Sequence, residues 1–467
     1  MAVFTSALRS VRELTFDLLP IEALNQLARD GGLKFRQRTL PPGMTLRCFI
    51  QQVAAGNIAC SAVHHLAVAD FSDTAWCQAR ARLPITLIRT ALRQVVDAAR
   101  DELSQTDQVG SEPYRWHGHR VHILDGSSDS MPDTPPLRAH YGVHSACRPG
   151  LGFPISHLLF LLDQRSGLLI DCLDDPMNTH DLSQAPAMHR HLAAGDIVLG
   201  DDVFSGYAHL ALVLRHNLHA IVPVHHKRIV DFTPDREHVP RHRNSKPSSR
   251  GKVRSRIVKV LGKDDQLVEY FKPISPSPWI SPQQWDELAP SIVVREIRRT
   301  IQRDGFRPIT VTIVTTLLDP MTYPADELID LRLTRWMIET NIRHLKTTLG
   351  MDVLKCKTLE GVRKERLIFL LVYNLIRMLM LQAARQQRVN VHRLSFADTL
   401  AWVRLSDCCC IDGDEMPPRI KINPLRPGRL EPRKLKRQKK QYAYMTQPRD
   451  QFKSQLRARY CLADNTA

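Results

Sequence analysis

The sequence predicts an α/β protein built around a mixed sheet. Between residues 119 and 223, two strand-like segments joined by a short turn are followed by alternating strand-like and helix-like segments, the order expected of a mixed α/β sheet. Four further segments rich in Val and Ile lie between residues 226 and 323 and predict a β-rich insertion. Helix-like apolar spacing occupies the first 115 residues and resumes near residue 325.

Residues 1–115 are predicted to form a helical N-terminal region that binds DNA. "PIEALNQLARD" and "LRCFIQQVAAG" have the apolar spacing of helices. In the stretch from Ser72 onward, Ser72 or Asp73 is a candidate helix cap, and Pro84 is an internal break. A helical scaffold without a ligand remains the alternative for this region.

Residues 116–225 are predicted to be the first part of the core. "HRVHILDG" alternates and then runs apolar into Asp125, as a buried strand does, while "PISHLLFLL" and "GLLIDCLDD" suit a hairpin joined by "DQRSG". "LSQAPAMHRHLAAG" predicts a helix closed by Gly195. "DIVLGDD" and "HAIVPV" are strand-like, and "GYAHLALVLRHN" between them is helix-like.

The remaining chain divides into three predicted parts. The β-rich insertion, 226–323, includes the basic loop "RHRNSKPSSRGKVRSR", where DNA contacts are expected from Arg250, Lys252 and Arg254. Residues 324–390 are predicted to complete the core with helices. Residues 391–467 are predicted to be a basic C-terminal region, and its tail from Met416 onward combines positive charge with Pro and Gly and has little that could build a core.

Composition narrows the function. The chain has 467 residues and a formal net charge of +17, which favours a polyanionic partner, with double-stranded DNA ahead of an anionic membrane. No uninterrupted apolar run of about 18 residues is present, so no membrane span is predicted. Charged residues within the first twenty break a signal-peptide core, which predicts a cytoplasmic protein.

Cysteine, histidine and glycine patterns predict no zinc or ATP site. The ten cysteines form no CxxC pair and are expected to be reduced thiols. "HGHRVH" and "VHHKR" lack convincing partners for a tetrahedral metal site. A P-loop and a GxGxxG motif are both missing from the sequence.

Three acids stand out by position. Asp125 closes one predicted strand and Asp201 or Asp202 closes another, and the carboxyl ends of strands are where α/β folds place their sites. Glu339 lies within the helix-like stretch "LRLTRWMIETNIRHLKTTLG", among basic residues. Converging carboxylates of this kind can hold two divalent metal ions for phosphoryl transfer. The structural alternatives are helix-capping acids and exposed i, i+4 ion pairs.

Three segments in order resemble the insertion-sequence 4 (IS4) family of bacterial DDE transposases, over residues 45 to 385. "ILDGSSDSMPDTPPLRAHYG" and "IVLGDDVFSGY" resemble the family's first and second aspartate segments. "RLTRWMIETNIRHLK" resembles the third, which has Tyr, two residues, Arg, three residues, Glu, six residues, Lys. Arg335, Glu339 and Lys346 match that pattern, whereas Arg332 replaces the tyrosine.

The resemblance implies an RNase H-like core that cuts DNA at transposon ends and joins the freed 3′ ends to target DNA. It implies Mg²⁺ as the cofactor, with Mn²⁺ able to substitute, and Asp125, Asp201 and Glu339 as catalytic metal ligands. Phe204 three residues on favours Asp201 over Asp202, and Asp129 and Asp133 are expected to be loop acids after the strand. Phosphate contacts are expected from four basic residues of the third segment: Arg332, Arg335, Arg343 and Lys346.

The resemblance also implies nucleoid-associated action by a homodimer or higher oligomer. Trp279, Trp285 and Trp336 could stack on a displaced base, and Trp279 or Trp285, in the insertion, is the preferred candidate, with a buried core position as the alternative. The apolar spacing of the Glu339 segment also places Trp336 on its packed side. Two other functions remain open, a stand-alone metal-dependent nuclease of the same fold and an inactive DNA-binding protein descended from a transposase.

Overall fold

The computed structural model describes residues 17–66, 70–144, 151–226, 228–236, 255–301, 308–406 and 419–424, with a few single positions between 448 and 458. Its helices are α1 Ile21–Asp30, α2 Pro42–Ala54, α3 Asp73–Arg82, α4 Ile85–Thr106, α5 Pro135–Tyr141, α6 Asp181–Met188, α7 Tyr207–Arg215, α8 Pro282–Asp286, α9 Ala325–Leu333, α10 Met337–Arg343, α11 Leu359–Gln387 and α12 Phe396–Ser406. Its strands are β1 Gln108–Val109, β2 Glu112–Pro113, β3 Val121–Ser130, β4 Ile155–Asp163, β5 Leu169–Pro176, β6 Ile197–Leu199, β7 His219–Pro223, β8 Arg256–Gly262, β9 Asp265–Phe271, β10 Ser291–Ile301 and β11 Ile309–Thr315.

Nine of these strands form one mixed sheet in the order β5-β4-β3-β6-β7-β11-β10-β9-β8. β3, β4 and β5 are antiparallel neighbours, and β6 and β7 continue from β3 in parallel. If the first five strands of this sheet, β3 to β7, are counted 1 to 5 along the chain, their spatial order is 3-2-1-4-5. The second of them, β4, is antiparallel to both of its neighbours. This is the RNase H-like arrangement, and it confirms the predicted fold class.

The predicted insertion strands are present, and they lengthen the core sheet. β11 pairs antiparallel with β7, and β10, β9 and β8 follow in turn. Val294, Ile297 and Ile313 are fully buried on this extension. The hydrogen-bonded pairing of β7 with β11 thus joins the core strands and the insertion strands into one sheet.

The central helix α11 is buried by the rest of the fold. Its 29 residues are long and apolar enough to cross a membrane, but its most apolar stretch is completely buried inside the protein. It packs against α4, α2 and α12. The Asn374 side chain bonds both the amide and the carbonyl of Leu169 on β5 (2.9 and 2.7 Å), which fastens the helix to the sheet.

Local signals placed most helix boundaries correctly. Ser72 caps α3 by accepting from the Ala75 amide (3.2 Å), and Pro84 separates α3 from α4 as predicted. The helix predicted to close at Gly195 is shorter. It ends at Met188, two residues after the internal Pro186, and a 3₁₀ turn at His189–His191 follows. Gly195, at φ +87°, lies in a later turn.

Candidate active site

Asp125 and Asp201 are brought level by the register of two parallel strands. Val121, His122 and Ile123 of β3 pair with Ile197, Val198 and Leu199 of β6. Continuing that register by two residues sets Asp125 opposite Asp201. β6 ends at Leu199, so Asp201 starts the turn beyond the strand, where its Oδ1 accepts from the Val203 amide (3.0 Å).

The Asp125 carboxylate lies among charges of both signs. Burial raises its pKa to about 6, since desolvation disfavours the charged form. The Arg335 guanidinium, with Nη1 3.2 Å from Asp125 Oδ2, opposes that rise, whereas Asp201, Glu339 and Asp181 add to it. Four carboxylates therefore act on one another at this end of the sheet.

Arg335 connects Asp125 to Glu339. Its Nη2 lies 3.3 Å from Glu339 Oε1, four residues along the chain. The Glu339 side chain is 64% exposed, whereas the Asp125 side chain is largely buried. The guanidinium thus occupies the space between the strand carboxylate and the helix carboxylate.

The Glu339 segment is helical as predicted, but it is not one regular helix. α9 ends at Leu333, a 3₁₀ turn covers Thr334–Trp336, α10 carries Glu339, and a π-helical turn covers His344–Thr348. Such irregular turns frequently mark functional sites. Here the 3₁₀ turn carries Arg335 and the π turn carries Lys346.

Three residues on one face of β3 each bind a basic side chain from the helices. Alternate strand residues share a face, so Asp125, Ser127 and Asp129 point the same way. Lys346 Nζ donates to Ser127 Oγ (3.2 Å) next to the Arg335–Asp125 contact. Lys346 is thereby held two strand residues from Asp125.

The expectation that Asp129 is a loop acid was wrong. β3 continues to Ser130, and the buried Asp129 receives two hydrogen bonds from Arg366 of α11 (2.7 and 3.0 Å). The strand runs this far because β4 pairs with it to its last residue. Asp133 does lie in the loop, paired with Arg138 at 2.6 Å.

Arg332, at the family's tyrosine position, faces the acids of the site. It is half-buried, and burial together with Arg335 lowers its pKa to about 10, while Asp201, Asp125 and Asp202 act in the opposite direction. Its buried Nε has no hydrogen-bond partner in the described structure. Arg343, by contrast, is exposed on α10.

Asp181 is a site acid that the sequence reasoning missed. It lies in the first turn of α6, where a Cβ built on Gly126 would lie 2.7 Å from its Oδ1. His157 Nε2 is 2.6 Å from the same oxygen. Burial raises the pKa of Asp201, and Asp181 adds to that rise. No local pattern marks Asp181, because only the packing of α6 on Gly126 places it there.

Asp201 and Asp202 point toward different neighbours. Asp201 interacts with Asp181 and Arg335, on the Asp125 side of the site. Asp202 Oδ2 lies 3.8 Å from His226 Nδ1, beyond the end of β7. This difference favours Asp201 as the partner of Asp125.

The carboxylates at this end of the sheet suit a hard divalent cation. Their oxygens are the ligands that Mg²⁺ prefers, and a guanidinium already lies where Asp125 and Glu339 converge. In the described residues, the carboxylates of Asp125, Asp201 and Glu339 do not form a compact three-ligand group. A compact three-ligand group is formed instead by Asp202, His225 and His226, whose ligand atoms all lie within 4.8 Å of one another.

The two tryptophans predicted to stack on a base are packed into the protein. Trp285 is buried, with Lys272 Nζ 5.2 Å from its ring centroid, and Trp279 is half-buried against the core. Trp336, which the apolar spacing placed on the packed side of the Glu339 segment, is instead 61% exposed. Arg250, Lys252 and Arg254 lie outside the described residues.

The expectation that Asp125 closes its strand was wrong, because Asp125 lies in the middle of β3, whereas Asp201 lies just beyond the end of β6. A sheet of this order, with an acid on each of these two neighbouring strand segments and a third on a later helix, is the arrangement expected of a DDE-type transposase domain. The family described as "Transposase DDE domain" matches residues 116–375, and this chain belongs to it. The predicted IS4-family membership is also confirmed, because the chain is 25% identical over 332 residues to "Transposase InsG for insertion sequence element IS4" of Escherichia coli (strain K12).

That match covers 68% of this chain and 66% of the InsG protein, so the aligned region spans just under two thirds of the relative. Among solved structures, the chain is similar to a piggyBac transposase synaptic complex with hairpin DNA. The TM-score is 0.40 at 10% identity, over 85% of this chain and 80% of that one.

Proposed function

We propose that this chain cuts double-stranded DNA at the ends of its own transposon and joins the freed ends to target DNA. Asp125, Asp201 and Glu339 would hold Mg²⁺, with Mn²⁺ able to substitute. The observation that carries the proposal is the register that sets Asp125 level with Asp201, with Glu339 reached through a single arginine.

When bound, the metal would polarise the scissile phosphate and activate the attacking oxygen. The chain's own residues supply position and charge. β3 and β6 hold two carboxylates on rigid neighbouring strands, and Glu339 is exposed where DNA and solvent can reach it. Arg335 would leave the carboxylates when a cation binds, which frees its planar guanidinium for a phosphate.

Lys346 is the proposed fixed phosphate contact. The Ser127 hydroxyl holds its ammonium on the same face of β3 as Asp125. A point charge in that position stabilises a phosphate held against the carboxylates. Arg332 would contact a phosphate from the Asp201 side of the site. The exposed Trp336 offers a ring on which a displaced base can stack.

The N-terminal helices are proposed to hold the DNA flanking the cut. They surround a groove of about 600 Å³ whose lining includes Lys34, Arg36, Arg38 and Arg82 and a single acid, Asp70. A basic concave surface on a chain of net charge +17 suits a phosphate backbone. Synapsis of two ends would need at least a homodimer, acting in the cytoplasm on nucleoid DNA.

The test uses the inverted repeats that flank the gene as substrate. Asp125→Asn, Asp201→Asn and Glu339→Gln are each expected to abolish Mg²⁺-dependent cleavage while leaving the Kd for end DNA unchanged. Asp133→Asn is the matched control, because Asp133 lies in a loop paired with Arg138. A variant that still cuts would remove its residue from the ligand set.

Strand transfer separates this function from its rivals. A transposase produces joined end–target molecules, whereas a stand-alone nuclease cuts without joining. A protein that binds its ends but cuts with neither Mg²⁺ nor Mn²⁺ would be an inactive descendant.

A further inference from the structure

We propose that Asp202, His225 and His226 form a binding site for a transition-metal ion of the Zn²⁺ class, separate from the carboxylates of the proposed catalytic site. Each residue offers one ligand atom, and the three atoms lie within 4.8 Å of one another. Asp202 Oδ2 and His226 Nδ1 are 3.8 Å apart. The two imidazole rings are adjacent, with centroids 4.1 Å apart.

The fold holds the two ligand-bearing segments together through Ser205. Asp202 begins the 3₁₀ turn Asp202–Ser205 after β6, and His225 follows the end of β7. The buried Ser205 hydroxyl donates to the Asp202 carbonyl (2.8 Å) and accepts from the His225 amide (3.0 Å). The spacing between the two backbone segments that carry the carboxylate and the imidazoles is therefore fixed.

The donor set selects the metal. Two imidazoles with one carboxylate suit Zn²⁺, Co²⁺ or a similar ion, whereas Mg²⁺ prefers oxygen ligands alone. Tetrahedral Zn²⁺ with bonds near 2.05 Å places its ligand atoms about 3.3 Å apart. The separation of 3.8 Å is close to that value, and the 41% exposure of Asp202 and 71% exposure of His226 leave both side chains room to rotate.

A bound ion would cross-link the turn after β6 to the end of β7. Because Asp201 caps that turn, the ion would stabilise the segment next to the proposed catalytic acid. The inference does not rest on the proposed function, since the site is defined by its donors and its test reads metal binding. Failure of DNA cleavage would leave it standing.

The test is a titration of purified full-length protein with Co²⁺, followed by visible d–d absorption in the presence of excess Mg²⁺. The wild type is expected to bind one Co²⁺ with the absorption of a nitrogen- and oxygen-ligated site. Asp202→Asn, His225→Gln and His226→Gln are each expected to weaken that binding at least about tenfold. Far-UV circular dichroism checks that each variant is folded.

The matched control is the double variant His64→Gln/His65→Gln. That pair is also adjacent, with ring centroids 3.8 Å apart, but in the described residues no carboxylate completes a three-ligand group with it. The control is expected to bind Co²⁺ as the wild type does.

Three results would overturn the inference. They are no Co²⁺ binding by the wild type, displacement of Co²⁺ by Mg²⁺, or a spectrum unchanged in the Asp202 and His225 variants. If the two histidines only contact DNA phosphate, their variants will weaken DNA binding while the wild type fails to bind Co²⁺, and that result also counts against the site.

Discussion

Removing Asp129 should destabilise the strand that carries Asp125. The buried Asp129 carboxylate accepts from Arg366 Nε and Nη2 (2.7 and 3.0 Å) and from the Ser156 hydroxyl (2.5 Å). Both partners of the ion pair are almost wholly inaccessible to solvent. Asp129→Asn therefore leaves the Arg366 guanidinium buried with only part of its charge compensated.

Breaking a buried ion pair on one side costs about 3–5 kcal/mol in free energy of unfolding. Asp174 Oδ2 lies 3.2 Å from Arg366 Nη1 and keeps partial compensation, which places the expected loss at the lower end, about 3 kcal/mol. Removing both charges with Asp129→Asn/Arg366→Met should cost less than the sum of the single changes, because neither member of the broken pair is left charged and Asp174 keeps Arg363 at 3.1 Å. A coupling energy of about 2 kcal/mol follows.

The assay is a double-mutant cycle of urea unfolding midpoints, converted with a common m-value. The control cycle uses Arg165 and Glu112, a pair at 2.8 Å that is considerably more exposed. Its coupling should stay below about 1 kcal/mol. If the Asp129–Arg366 coupling is no larger than that of the exposed pair, burial does not govern the strength of this contact and the reasoning fails.

Further predictions concern the site and the core. Lys346→Gln should slow single-turnover end cleavage about a hundredfold, because a held positive charge beside Asp125 is lost; a wild-type rate would exclude the proposed contact. Trp336→Ala should weaken binding of end DNA about 5- to 150-fold, the value of one stacked base; a larger effect for the half-buried Trp279→Ala would reverse the assignment. Burial lowers the pKa of His209 from 6.5 to about 4, so the unfolded chain binds its proton first as pH falls. Stability should therefore drop by about 2 kcal/mol between pH 7 and pH 5 through this group alone. In His209→Gln the urea midpoint should shift correspondingly less over that range, and an equal shift would contradict the assignment.

Short-range patterns were enough to predict most elements and the three candidate acids. Strand alternation, cap residues and Pro84 act over a few residues, so the sequence shows them directly. Asp125 and Asp201 were identified because each follows an apolar run, and Glu339 because it lies among bases in a helix-like segment. The assignment of these acids as metal ligands stays a prediction that the proposed mutants test.

Errors arose where a distant partner decides the local structure. β3 extends through Asp129 because β4 pairs along its whole length and Arg366 neutralises the carboxylate. The exposed position of Trp336 follows from the 3₁₀ turn that interrupts the predicted helix. Neither the pairing nor the turn leaves a mark in the neighbouring residues.

By itself, the sequence determined the fold class, the family and the acids worth testing, because apolar periodicity and motif spacing are properties of contiguous chain. Only the tertiary structure decided which of these side chains lie next to one another. Sheet register set Asp125 opposite Asp201, α6 packing brought Asp181 against Gly126, and the end of β7 placed two histidines beside Asp202. Such contacts join residues far apart in the chain, and the packing of the whole sheet determines their distances.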